Sequence, residues 1–212
     1  MAKIDYVACK VSAIDPYIVQ VHFRDGLSDA NIDDLRAHNP DVVFDEVDNL
    51  SIKAKIRQFG QETKTPVVMA TDLGDRSLID VERHDRAKTK PFGGRLKPAE
   101  FAKLANGNFT DAEKMKYMMK IVGLRHVTTR VLSSAMQTGD TLAGLPQLGT
   151  TADIGGGLAA IAAREIILGR RMATGRYVNN TRRLLGLKPQ GTIKHTKGVV
   201  ADFVRFTKSK KA

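Results

Sequence analysis

Two apolar runs, DVVFDEV at 41–47 and TPVVMATDL at 65–73, flank the amphipathic segment NLSIKAKIRQFGQETK. Short valine-rich runs read as strands, and apolar positions spaced near 3.6 residues between them read as a helix. A helix of that length carries the chain back to the same end of the sheet, so the two strands run parallel. A third run, RSLIDVERH at 76–84, follows after Gly74 and Asp75. A turn that tight suits a hairpin, and it makes the third strand antiparallel. The expected fold is α/β, with a mixed sheet of parallel strands plus an antiparallel return.

The flanking segments are less regular. In KIDYVACKVSAIDP the apolar positions Ile4, Val7, Ala8, Val11 and Ile14 keep helical spacing. Asp15 and Pro16 end it, because the residue before a proline is pushed out of the α region. YIVQVHF then alternates as a further strand, and Ser28 is placed to cap a short helix in DANIDDLRAH, closed by Asn39 and Pro40. After Ala87 the chain turns rich in Lys, Gly, Pro and Asn and reads as a long connection. Helices are expected from Asp111 to Val122 and from Arg125 to Met136, with a Gly/Thr loop after them. LAAIAAREIILGRRM reads as an apolar helix entered through Gly155, Gly156 and Gly157. The three glycines admit two readings, a phosphate cradle or close packing of the helix on the sheet. The organisation expected is a partial nucleotide-binding domain over 1–88, a loop and helical region over 89–187 packing back on the sheet, and a basic tail over 188–212.

Charge narrows the partners. The 212 residues carry 34 Lys and Arg against 23 Asp and Glu, a net charge of +11. That favours nucleotides, nucleic acid or acidic protein surfaces. Aromatics are only 6% of the chain and do not interleave with the basic residues, which argues against a base-stacking platform. The segment GRRMATGRYVNNTRRLLG reads first as a solvated basic face and second as an anion or nucleic-acid contact. A single cysteine, Cys9, excludes an internal disulfide and a cysteine zinc site, and it reads as a small buried side chain. His22, His38, His84, His126 and His195 show no metal-ligand spacing. No apolar run approaches 18 residues and MAKIDYVACK has no signal-peptide core, so a cytoplasmic protein without membrane spans is expected.

The strand at 41–47 breaks off into Asp45, Glu46, Asp48 and Asn49. Asp45 and Glu46 alternate in direction, one toward the core and one toward solvent. Asp48 has two readings: the N-cap of the helix beginning near Leu50, which stabilises by roughly 1 kcal/mol, or a ligand for a metal ion beside a nucleotide.

Three stretches, taken in order, resemble the ThiF/MoeB/HesA family, the bacterial relatives of ubiquitin-activating enzymes. KIDYVACKVSAIDP is similar to that family's K-x-x-x-A-x-x-L-x-x-I-N-P helix. VVFDEVDNLSIK resembles its strand-end D-x-x-D-N, and PVVMATDLGDRSLIDVERHD its next strand and antiparallel return. GGGLAAIAAREIILG looks like the family's late helix. The resemblance implies a partial Rossmann-like sheet with a helical C-terminal region, and ATP-dependent adenylation of a substrate carboxylate. It implies that Asp48 serves Mg²⁺ and the phosphates, that Lys3 contacts phosphate, and that Asn49 belongs to the nucleotide site. The substrates it implies are a ubiquitin-like protein or a small carboxylic acid.

Within these 212 residues the family's glycine-rich βαβ unit has no counterpart, nor do its crossover cysteine and C-x-x-C pairs. The expected consequences are an incomplete site in this chain alone, no thioester step, and an apolar sheet edge open to another chain. A homo-oligomer or a complementary chain carrying the glycine-rich loop would complete such a site. The rival functions are a noncatalytic dimerisation or regulatory subunit and, behind it, a nucleic-acid-binding protein.

Overall fold

The computed structural model describes residues 1–188, so the basic tail expected over 188–212 lies outside the described residues except for Lys188. The chain forms two compact units, Met1–His38 and a larger one from Asn39 onward. In the first, α1 spans Lys3–Ile14 and stops where Asp15 turns extended, its carboxylate accepting from the Tyr17 N–H at 2.9 Å. Arg24 pairs with Asp5 at 2.6 Å, and Gln20 donates to Ser12 at 2.9 Å.

Three expectations for this unit fail. YIVQVHF forms no strand; Tyr17 and Val19 are about nine-tenths exposed, and alternation stabilises a strand only against a neighbouring ladder. The second helix is short, α2 at Ile32–Ala37, and its N-cap is Asn31 rather than Ser28. The Asn31 carboxamide accepts from the Ser28 N–H at 2.8 Å, so the side chain closes the entry turn instead of the helix. Cys9 is exposed, because α1 buries no residue.

The larger unit is a mixed α/β structure built on a four-stranded sheet. Its elements in order are β1 (Val43–Phe44), α3 (Leu50–Thr63), β2 (Val67–Asp72), β3 (Arg76–Glu82), α4 (Pro98–Ala105), α5 (Asp111–Val122), α6 (Thr129–Gln137), α7 (Gly149–Ile167), β4 (Gly175–Asn180) and α8 (Thr181–Leu184). The sheet order is β1-β2-β3-β4. β1 and β2 pair in parallel through the α3 crossover, and both other pairings are antiparallel. Gly74, at φ +62°, and Asp75 make the tight turn between β2 and β3, closed by Leu73 N–H to Arg76 O at 2.8 Å. β4 comes from the basic segment after residue 169, which the sequence presents as a solvated face.

Helices cover both faces of the sheet. On one, Met69 packs with Leu50 and Ala54 of α3, Phe92, Leu104 of α4, and Tyr117 and Ile121 of α5. On the other, Val68, Ile79 and Val81 meet Ala159, Ala162 and Ile166 of α7. The three glycines lie inside α7, beginning six residues after its start, so the phosphate-cradle reading fails: their N–H groups belong to the helix and not to its N-terminus. Gly155 sits against the sheet, where an added Cβ would lie 3.1 Å from Asp72 Oδ1 and 3.5 Å from Ser77. Close packing is its role.

The face under α3 holds a buried charge bridge. Arg57 is fully buried; its guanidinium donates to Asp45 after β1 and, at 3.2 Å, to Glu82 of β3. It also lies over the Phe92 ring, 4.1 Å from the centroid. Phe92 has φ +51°, and its N–H donates to the second partner, Glu82, at 3.0 Å. Lys53 adds a contact to Asp45 at 3.0 Å. Removing one member of such a bridge strands charge in the core.

Two predictions follow from this packing. Arg57→Met should lower the free energy of urea unfolding by about 3 to 5 kcal/mol; a loss under about 1 kcal/mol would show that Asp45 and Glu82 find other partners. The second concerns Glu100, which joins α4 to α5 through Lys120 at 2.6 Å. That contact, then the Lys97 N–H, pulls its carboxyl from 4.5 to about 2. A depressed carboxylate stabilises above its unfolded value and loses that stabilisation as pH falls toward the folded one. The stability difference between the natural chain and Glu100→Gln should therefore be full above pH 4.5 and shrink as pH falls to about 2; a difference independent of pH would refute the ionic account.

Candidate functional site

The strand end after β1 places its four polar residues by simple alternation. Asp45 points into the core and is fully buried against Arg57. Its N–H donates to Val68 O at 2.8 Å, which carries the β1–β2 ladder one residue beyond the strand proper. Glu46 is exposed and reaches back to β2, accepting from the Ala70 N–H at 2.9 Å. The residue is exposed as a whole, but partial burial of its carboxyl raises its pKa, against the opposing effects of that N–H and Lys53. Asp72 at the end of β2 is likewise raised by burial, and its Oδ1 is buried with no hydrogen-bond partner.

The helix cap is Asn49. Its side-chain oxygen accepts from the N–H groups of Ser51 at 2.8 Å and Ile52 at 3.2 Å, the two donors a capping residue satisfies. The reading of Asp48 as the cap is therefore corrected: the cap falls one residue later, directly before Leu50, where α3 begins. Asp48 is exposed, and its carboxylate takes no hydrogen bond or ion pair among the described residues. It stands at the carboxyl end of a parallel strand, where a crossover helix starts, the position at which open α/β sheets receive ligands.

Asp48 and Asn49 thus adjoin on one loop of the larger unit. Lys3 belongs to the other unit, exposed at the first position of α1, where no side chain caps the helix. Sequence reasoning left Asp45 unassigned and passed over Arg57 and Glu82, which fix the strand end. An arginine within an amphipathic helix looks solvated, and its carboxylate on β3 is 25 residues away. The one available signal was Asp45 itself, an acid on the apolar face of a strand, which demands a buried cation.

Among the described residues no three His, Cys, Asp or Glu side chains are grouped to hold a metal ion, and no helix is long and apolar enough to cross a membrane.

No family model matches the chain. An uncharacterized protein of Mycobacterium tuberculosis is 34% identical to it over 170 residues, which make up 80% of this chain and 23% of that protein. The chain therefore spans about a quarter of the length of the relative it matches.

The division of labour between the two neighbours is testable by stability alone. Asn49→Ala should cost about 1 kcal/mol through loss of the cap, whereas Asp48→Ala should leave the urea midpoint unchanged. Equal losses in the two variants would return the capping role to Asp48.

Proposed function

We propose that this chain carries part of an adenylation centre of the ThiF/MoeB/HesA type, with Asp48 facing the metal and phosphates of ATP. The observation that supports it is the exposed carboxylate of Asp48, left free because Asn49 caps α3. Mg²⁺ prefers one or two carboxylates, with phosphate oxygens and water completing its shell. One free carboxylate fits an ion that arrives with a nucleotide. When bound, the ion would neutralise charge on the phosphates as the substrate carboxylate attacks and pyrophosphate leaves.

The chain's own residues do the positioning. Asn49 holds the start of α3 rigid, and Arg57 and Lys53 hold Asp45 in the core, so the loop bearing Asp48 is anchored on both sides. Lys3 is assigned a phosphate contact by the resemblance. A complementary polypeptide or an oligomer would supply the glycine-rich cradle, and the substrate would be a ubiquitin-like C-terminus or a small carboxylic acid. A second reading, a noncatalytic subunit that docks through its sheet, is favoured by β1: it is an edge strand and its Phe44 is 46% exposed.

Calorimetric titration of Mg-ATP into the full chain, with light scattering on the same sample, separates the two. Adenylation predicts nucleotide binding that weakens at least about tenfold in Asp48→Asn while the melting temperature holds. Binding indifferent to Asp48→Asn would remove that carboxylate from the site. A chain that forms a stable dimer and binds no nucleotide would establish the subunit reading in its place.

A further inference from the structure

A second feature of the larger unit is independent of the strand end and of the adenylation reading. A cavity of about 400 Å³ lies where the chain leaves α5, bounded by Arg95, Lys120, Leu124, Arg125, His126 and Arg176, with Gly123 at its wall. Small-molecule sites begin at about this size, well above that of a bare inorganic anion.

The cavity is built from fixed parts. Gly123, at φ +84°, ends α5, and an added Cβ there would lie 3.4 Å from the His126 ring and 3.6 Å from Arg176. The His126 N–H closes the turn on Gly123 O at 2.9 Å, and Arg76 donates to His126 O at 3.3 Å. Arg176 is a buried wall: it donates to Asp80 at 2.8 Å, to Ile121 O at 2.8 Å and to Val122 O. Arg95 shares Asp80 at 3.4 Å and keeps a quarter of its side chain exposed. Lys120 pairs with Glu100 and is one-third exposed.

Arg125 differs from these. Its guanidinium makes one hydrogen bond among the described residues, from Nε to His126 Nε2 at 3.0 Å, and no carboxylate pairs with it. Accepting at Nε2 leaves His126 neutral with its proton on Nδ1. Burial, followed by the surrounding arginines, pushes the imidazole down to about 4, so it adds a donor without adding charge. Four cations line the cavity, and two carboxylates, Asp80 and Glu100, pair with them. Glu100 is shared with Lys116 at 3.5 Å, so the surplus is at least two positive charges, which a phosphate monoester matches near neutral pH and a single carboxylate does not. A guanidinium free of acid partners is suited to fork-like binding of phosphate oxygens. Leu124, 53% exposed beside it, offers an apolar surface for the organic part of such a ligand.

We propose that this cavity binds a small organic phosphate, its dianionic head held by Arg125, Arg95 and Lys120 and its organic portion resting on Leu124. Phenyl phosphate is a direct probe, titrated calorimetrically into the full chain beside inorganic phosphate and benzoate. Phenyl phosphate should bind once per chain and more tightly than either. Arg125→Ala should weaken it at least about tenfold, while Arg130→Ala, an exposed arginine on α6, should not change it. Leu124→Ala should erase its advantage over inorganic phosphate, and this variant keeps the test decisive if Arg125→Ala fails to fold. Failure of phenyl phosphate to bind, or equal weakening by Arg125→Ala and Arg130→Ala, would overturn the proposal. So would displacement of the probe by a single-stranded oligonucleotide that binds more tightly and is released by salt, which would assign the cavity to nucleic acid.

Discussion

One guanidinium, that of Arg57, determines how the sheet is assembled. It bridges Asp45, just past the end of β1, and Glu82 of β3; the two strands are not neighbours, and so it reaches across β2. Met69 of β2 lies between them, its sulfur 3.4 Å from the same guanidinium. Three charges taken out of water are costly unless each finds geometry that offsets the loss of hydration. Here one carboxylate sits just past β1 and the other on β3, the cation on the crossover helix, and the Phe92 ring against it. The arrangement is satisfied only when α3 lies over β2 with β1 and β3 on either side. β1 itself is a two-residue strand, too short for its ladder alone to hold the edge of the sheet. The bridge supplies that hold and fixes the loop that follows.

The two faces of the sheet consequently have different characters. Under α7 the alanines pack closely on the apolar side chains of the sheet, and Gly155 lies against Asp72 and Ser77 with no room for a side chain. Under α3, α4 and α5 a row of side chains runs across the strands: Asp45, Met69, Asp80 and Arg176, in that order. Asp80 holds Arg176, and Arg176 in turn covers the carbonyls at the end of α5. A cation at a helix C-terminus is favourable on its own account. The same residue thus joins β4 to β3 and α5 to the sheet, and it explains how a strand as polar as GRYVNN finds a place at an edge.

That strand marks where the sequence stops being readable. The crossover unit and hairpin of residues 41–84 were legible because apolar runs, a helical period and a Gly-Asp turn agree with one another. α1 was legible because Asp15-Pro16 marks its end, and α5 was expected at the bounds it takes, Asp111–Val122. YIVQVHF had the alternation of a strand with no ladder beside it, whereas GRYVNN had a ladder and no alternation to announce it. Register depends on partners distant in the chain, and composition carries little of that information. At the candidate site the position of Asp48 could be read from the break after an apolar strand. The choice of cap between two adjacent cap-forming residues could not, since either suits the role and backbone geometry decides.

The net charge takes on a different meaning once the cations are located. A surplus of +11 suggests a diffuse attraction for polyanions, yet the cations that matter are individually placed. Arg57 is spent inside the core, and Arg176 on Asp80 and a helix end. Arg125 is held beside an imidazole that stays neutral, next to a concave surface. A smooth basic face would bind by counterion release and would tolerate the loss of any one residue. Guanidinium groups fixed by neighbouring carbonyls and carboxylates around a cavity present charge at defined points, so any ligand there would be sensitive to which arginine is present. The acidic strand end and the basic cavity are therefore separate features of the structure, and both are held by one charged face of the sheet.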